Sequence, residues 1–107
     1  MSITILDNVE NIDNSGKCIL KFSAKWCGPC KVISPFYKSL SGQYKNIKFC
    51  EVDVDEAIEI ADKYNVESMP TFIALVNGKE IQRISGAEQG KLRNFVQALH
   101  IFTESQT

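Results

Sequence analysis

With 107 residues, 44% of them apolar and 23% charged, the chain is sized for one domain, residues 1–107, around a single buried core. Its 12 basic and 13 acidic side chains leave a net charge of −1, which gives no electrostatic basis for holding nucleic acid or an anionic membrane. No window approaches the roughly 20 apolar residues of a membrane span. The start, Met1 to Asp7, has neither the basic lead nor the apolar stretch of a signal peptide. The tail, Thr103 to Thr107, carries no lipidation or retention signal. These absences predict a cytoplasmic location, where thiols stay reduced unless they turn over.

Thr4–Leu6 is a short strand candidate, followed by a helix over Asn8–Asn14 with Asp7 as its cap and a break at Ser15-Gly16. Cys18–Ser23 reads as a buried strand, apolar on both faces apart from Lys21 and Ser23. A helix then runs from the cysteines near residue 27 to about Tyr44, with Ile33, Phe36, Tyr37 and Leu40 at i, i+3, i+4 and i+7. Pro35 falls inside that helix and removes one backbone donor. Ile47–Asp53 is the next strand. A helix follows, capped near Asp53 or Asp55, with Ala57, Ile60, Ala61 and Tyr64 on one face. Thr71–Val76 is an apolar strand, and Asn77-Gly78 turns it into an antiparallel partner at Lys79–Ser85. The last helix opens near Gln89 and sets Leu92, Phe95, Val96 and Leu99 on one face. Strands alternating with helices predict an α/β fold, a mixed sheet of about five strands flanked by about four helices.

Trp26-Cys27-Gly28-Pro29-Cys30 stands where the second strand gives way to a helix. Two thiols three positions apart crowd the first helical turn, where unpaired N–H groups and the helix dipole stabilise a thiolate. The short spacer also lets the sulfurs close into a small disulfide ring, so the pair suits reversible thiol–disulfide exchange. No second pair of ligands accompanies it, so zinc and other metals are not expected. The remaining candidates read as structural. Cys18 and Cys50 fall within buried strands and pack as small apolar side chains. Asp53, Asp55 and Glu56 cap a helix and face water. His100, near the chain's end, is a surface residue without a catalytic role.

The segment Phe22 to Lys31, with Trp-Cys-Gly-Pro-Cys at its centre, resembles the active-site segment of the thioredoxin family. Pro35 matches that family's helix-kinking proline. Met69-Pro70-Thr71 resembles its cis-proline loop, and Ser85-Gly86-Ala87 its small-residue turn beside the substrate groove. The likeness runs from about Ile3 to Leu99 and implies a thioredoxin fold and a protein-disulfide reductase. In that scheme Cys27 is the exposed nucleophile and Cys30 the more buried resolving thiol, cycling through a Cys27–Cys30 disulfide. Gly28 and Pro29 constrain the loop. Trp26, Met69, Pro70, Thr71 and Gly86 border the substrate. No cofactor is bound: electrons come from NADPH through a thioredoxin reductase, and the partners are that reductase and disulfide-containing proteins, met by a monomer. Two alternatives stay open, a docking subunit that keeps the motif and a disulfide oxidase or isomerase.

One position departs from the family. A buried Asp is usual six residues before the first cysteine, and here that position is Lys21; Glu51 stands where a base is frequent. Lys21 either reaches the surface along its stem or is buried at a cost. The arrangement suggests that Lys21 and Glu51 pair beneath the cysteines and adjust their proton affinity, because either charge buried alone would be expensive.

Overall fold

The computed structural model describes residues 3–103; residues 1, 2 and 104–107, part of the leader and tail readings above, lie outside the described residues. In chain order the elements are β1 (Thr4–Ile5), a 3-10 turn at Val9–Asn11, β2 (Lys17–Ser23), α1 (Gly28–Gln43), β3 (Ile47–Asp53), α2 (Ile58–Lys63), β4 (Thr71–Val76), β5 (Lys79–Ser85) and α3 (Gln89–Ile101). The strands form one sheet in the order β1-β3-β2-β4-β5. The first three run parallel, and β4 and β5 complete it antiparallel. Parallel neighbours need a crossover, and α1 supplies the one between β2 and β3. That connection carries the two cysteines to the end of β2.

Side chains alternate across each strand, so β2 splits into two sets. Ile19 joins Phe49, Phe72 and Ala74 on the face covered by α1 (Ile33, Tyr37, Leu40) and α3 (Leu92, Phe95, Val96, Leu99). Cys18, Leu20 and Phe22 join Cys50, Val52, Ile73 and Leu75 on the opposite face, under Ile60 of α2. Lys21 shares the α1 face with Ile19 and stands directly opposite Glu51 in the β2–β3 register. Tyr37 fastens α1 to this face. Its hydroxyl donates to the Cys50 carbonyl at 2.8 Å and lies 3.3 Å from that of Ile19. Its ring meets Phe49 edge-on at 5.2 Å.

Two expectations about helices are corrected. Asn8–Asn14 is a single 3-10 turn at Val9–Asn11, so the described residues hold three α-helices rather than about four. Asp7 does not cap it; the preceding residue is Asn8, with no side-chain cap. The cause lies downstream, where the Asp13 carboxylate accepts from the backbone N–H of Ser15 at 2.9 Å and from its hydroxyl at 2.8 Å. Such a local bond competes with helical pairing. The acidic run before α2 behaves alike: Asp53 accepts from the Asp55 N–H at 2.9 Å, while α2 starts at Ile58 behind an uncapped Ala57.

Tyr37→Phe keeps the ring and removes the hydroxyl that ties helix to sheet. Urea unfolding is expected to show a loss of about 1 kcal/mol with an unchanged slope; an unchanged midpoint would mean the bond adds nothing.

Candidate active site

β2 ends at Ser23, and Cys27 becomes the N-cap of α1 with an extended backbone at φ −91° and ψ 104°. Its sulfur accepts from the Cys30 N–H at 3.2 Å, satisfying one of the donors a helix start leaves open. Pro29 occupies the first turn, where its missing N–H has no consequence. Gly28 opens that turn. Cys27 and Cys30 are joined as a disulfide, with their Cα atoms 5.3 Å apart. The expectation that Cys27 is exposed is corrected in this oxidised form. Cys27 is 5% exposed against 2% for Cys30, because Ala24, Val54 and Met69 pack around the pair. What solvent meets beside the disulfide is Trp26, 67% exposed.

Trp26 is held rather than loose. Its indole N–H donates to the Asp55 carboxylate at 2.8 Å. Asp55 therefore borders the disulfide and does not cap α2, contrary to the expectation from sequence. Glu56 likewise caps nothing and pairs with Lys25 at 3.2 Å on the exposed surface, an arrangement of small energetic weight.

The loop before β4 reaches the disulfide from the far side of the sequence. The Met69–Pro70 bond is cis, and Met69 packs on the Cys27–Cys30 cluster. The Pro70 carbonyl accepts from the Gly86 N–H at 2.9 Å, where Gly86 has φ +98°, a conformation that disfavours any side chain. Thr71 donates its hydroxyl to the Ser68 carbonyl at 2.6 Å, which closes the loop just before the strand.

A polar floor lies under the cysteines. Lys21 is 1% exposed, so it does not extend to the surface. Its ammonium donates to the Ser34 hydroxyl at 2.7 Å and lies 3.4 Å from the Glu51 carboxylate. It also stands 5.8 Å from the centre of the Tyr37 ring. Glu51, 30% exposed, accepts from the Ser23 hydroxyl at 2.8 Å. A pocket of about 350 Å³ opens here, lined by Lys21, Ser23, Cys30, Ser34 and Glu51 among others.

The other candidates lie elsewhere. Cys18 and Cys50 are wholly buried with their sulfurs 3.7 Å apart. The hydrogen bond between them, and then burial, push the Cys18 thiol far above its ordinary range, so it stays protonated. His100 is exposed near the end of α3, beside Asn46 at 3.1 Å. No group of three or more His, Cys, Asp or Glu among the described residues could hold a metal ion.

Residues 6–98 match the thioredoxin family. Thioredoxin-1 of Caenorhabditis elegans is 51% identical over 78 residues, 73% of this chain and 68% of the relative. Thioredoxin of Gallus gallus is 44% identical over 81 residues, 76% of this chain and 77% of the relative. Among solved structures, Fasciola hepatica thioredoxin superposes with a TM-score of 0.85 at 37% identity, covering 89% of this chain and 97% of that one.

Two outcomes follow from this geometry. Asp55→Ala frees the indole; Trp26 fluorescence should shift, and kcat/KM for a protein disulfide should fall about threefold, less than a full charged hydrogen bond is worth because the pair faces water. Equal fluorescence and rate would remove Asp55 from the site. In addition, Ellman's reagent should find two reactive thiols in the reduced native protein and four in guanidinium; four in the native state would contradict the burial of Cys18 and Cys50.

Proposed function

This chain belongs to the thioredoxin family and is a thiol–disulfide oxidoreductase that reduces protein disulfides, and from that premise we propose how its residues divide the reaction. Cys27, as thiolate, attacks one sulfur of a substrate disulfide and expels the other as a thiolate. The mixed disulfide is then attacked by the Cys30 thiolate. The substrate leaves with both sulfurs reduced, and two electrons have passed from the Cys27–Cys30 dithiol, now a disulfide. The observation that carries this reading is the Cys27–Cys30 disulfide at the N-terminus of α1, beside an exposed Trp26. Helix N-termini favour the anionic sulfur that attack requires.

Trp26, Met69, Pro70, Thr71 and Gly86 form the surface that receives the substrate segment, while Gly28 and Pro29 hold the ring between the two sulfurs. Lys21 and Glu51 act beneath it: the cation favours ionised thiols, and Glu51 takes the Cys30 proton across the pocket they share. Re-reduction needs no bound cofactor and comes from NADPH through a flavoprotein thioredoxin reductase. The working form is read as a monomer in the cytoplasm, and the two free thiols, Cys18 and Cys50, suit a reducing compartment.

Insulin reduction by dithiothreitol gives the test. Cys27→Ser should abolish the acceleration, and Cys30→Ser should accumulate a mixed disulfide with insulin; acceleration by Cys27→Ser would overturn the assignment. Lys21→Asp and Glu51→Gln should each move the pH profile of the rate. Wild-type profiles in both would leave the pair without a part in the chemistry.

A further inference from the structure

We propose that Ser34 is a positioning residue for the resolving thiol: its hydroxyl holds the Lys21 ammonium against the first turns of α1 and ties that charge to the Cys30 carbonyl. The inference rests on the reading that Cys27 and Cys30 are the working couple. Ser34 lies four residues after Cys30 on α1, so the two share a helix face and the Ser34 side chain points back toward the preceding turn. There its hydroxyl donates to the Cys30 carbonyl at 2.8 Å and accepts from Lys21 at 2.7 Å. A hydroxyl that accepts from an ammonium becomes a stronger donor, so the two bonds reinforce one another.

The distances decide where the cation rests. Lys21 is closer to the neutral Ser34 oxygen, at 2.7 Å, than to the Glu51 carboxylate, at 3.4 Å. The same Glu51 oxygen is already engaged by the Ser23 hydroxyl at 2.8 Å. Ser34 therefore draws the ammonium off its counter-charge and toward α1. Other titratable groups face the space: Lys25, Lys31, Glu51, Asp53 and Glu56 line the pocket with Cys30, and the Tyr37 ring lies behind Lys21. Burial, above all, keeps the Tyr37 phenol protonated. Of the charges, Lys21 alone is fully buried, so solvent screens its field least. The result is a positive charge kept near Cys30 when that thiol has to ionise and attack.

Without the hydroxyl, Lys21 is free to close on Glu51, and its charge is cancelled there. The Cys30 thiolate is then favoured less, and the resolving step slows near neutrality but not at a pH where Cys30 is fully ionised.

Stopped-flow oxidation of the reduced protein by excess Ellman's reagent separates the steps. Cys27 attack releases one coloured thiolate and forms the mixed disulfide; Cys30 attack releases the second. In Ser34→Ala the second phase should slow about three- to tenfold at pH 7, a shift of half to one pH unit, and recover the wild-type rate at high pH. Ser34→Thr should restore the neutral rate. A second phase in Ser34→Ala that matches the wild type at every pH, or is slowed equally at every pH, overturns the proposal while leaving the reductase reading intact. Failure of the wild type to release the second thiolate would instead overturn the reductase reading.

Discussion

A helix that opens beside solvent leaves its first N–H groups without partners, and here a sulfur takes one of them. Cys27 caps α1 through the Cys30 N–H, so one sulfur of the disulfide also completes the helix start. Much of the fold serves that position. β2 delivers the chain to the cap, Tyr37 fixes α1 to β2 and β3 nearly three turns later, and the Met69–Pro70 loop packs on the sulfurs from the other side. The dipole and the open N–H groups at this helix start favour negative charge on the sulfur, the charge that a thiolate carries.

The second constraint is electrostatic. Lys21 shares its sheet face with Ile19, Phe49 and Phe72, where an isolated ammonium would be costly. Its register opposite Glu51 supplies the counter-charge, and Ser34 and Tyr37 supply the rest of its surroundings. Glu51 is partly open to solvent. The pair thus runs from the buried ammonium beside Ser34 to a carboxylate partly open to water.

Most of the framework was legible in the residues. The segments at residues 18–23, 47–53 and 71–76 became strands within one residue of their expected ends, because apolar residues in runs or in alternation between turn formers leave few alternatives. Asn77-Gly78 made the hairpin for the same local reason, with both residues at positive φ. Helix starts were less legible. Asp7 and Asp53 look like caps by type, yet Asp7 caps nothing, and Asp53, like Asp13, bonds the residue two positions on and forms a turn. In the site, the cysteines and Trp26 announced themselves by spacing. Asp55 did not: it lies 29 positions from the indole it holds, and an acid before a helix reads as a cap. Ser34 was hidden similarly, as one polar residue on a helix. Its weight comes from Lys21, 13 positions away. Contacts between side chains on different elements are set by sheet order and helix rotation, which local pattern does not encode.

The central claim is that one dithiol, at residues 27 and 30, turns over while the other two thiols stay free. Equilibrating the protein in glutathione buffers of graded potential, trapping thiols by alkylation and mapping the peptides tests it most directly. Reversible, two-electron interconversion should be confined to Cys27 and Cys30, with Cys18 and Cys50 alkylated only after unfolding and at every potential. A couple that forms through Cys18 or Cys50, or no reversible couple between Cys27 and Cys30, would contradict it.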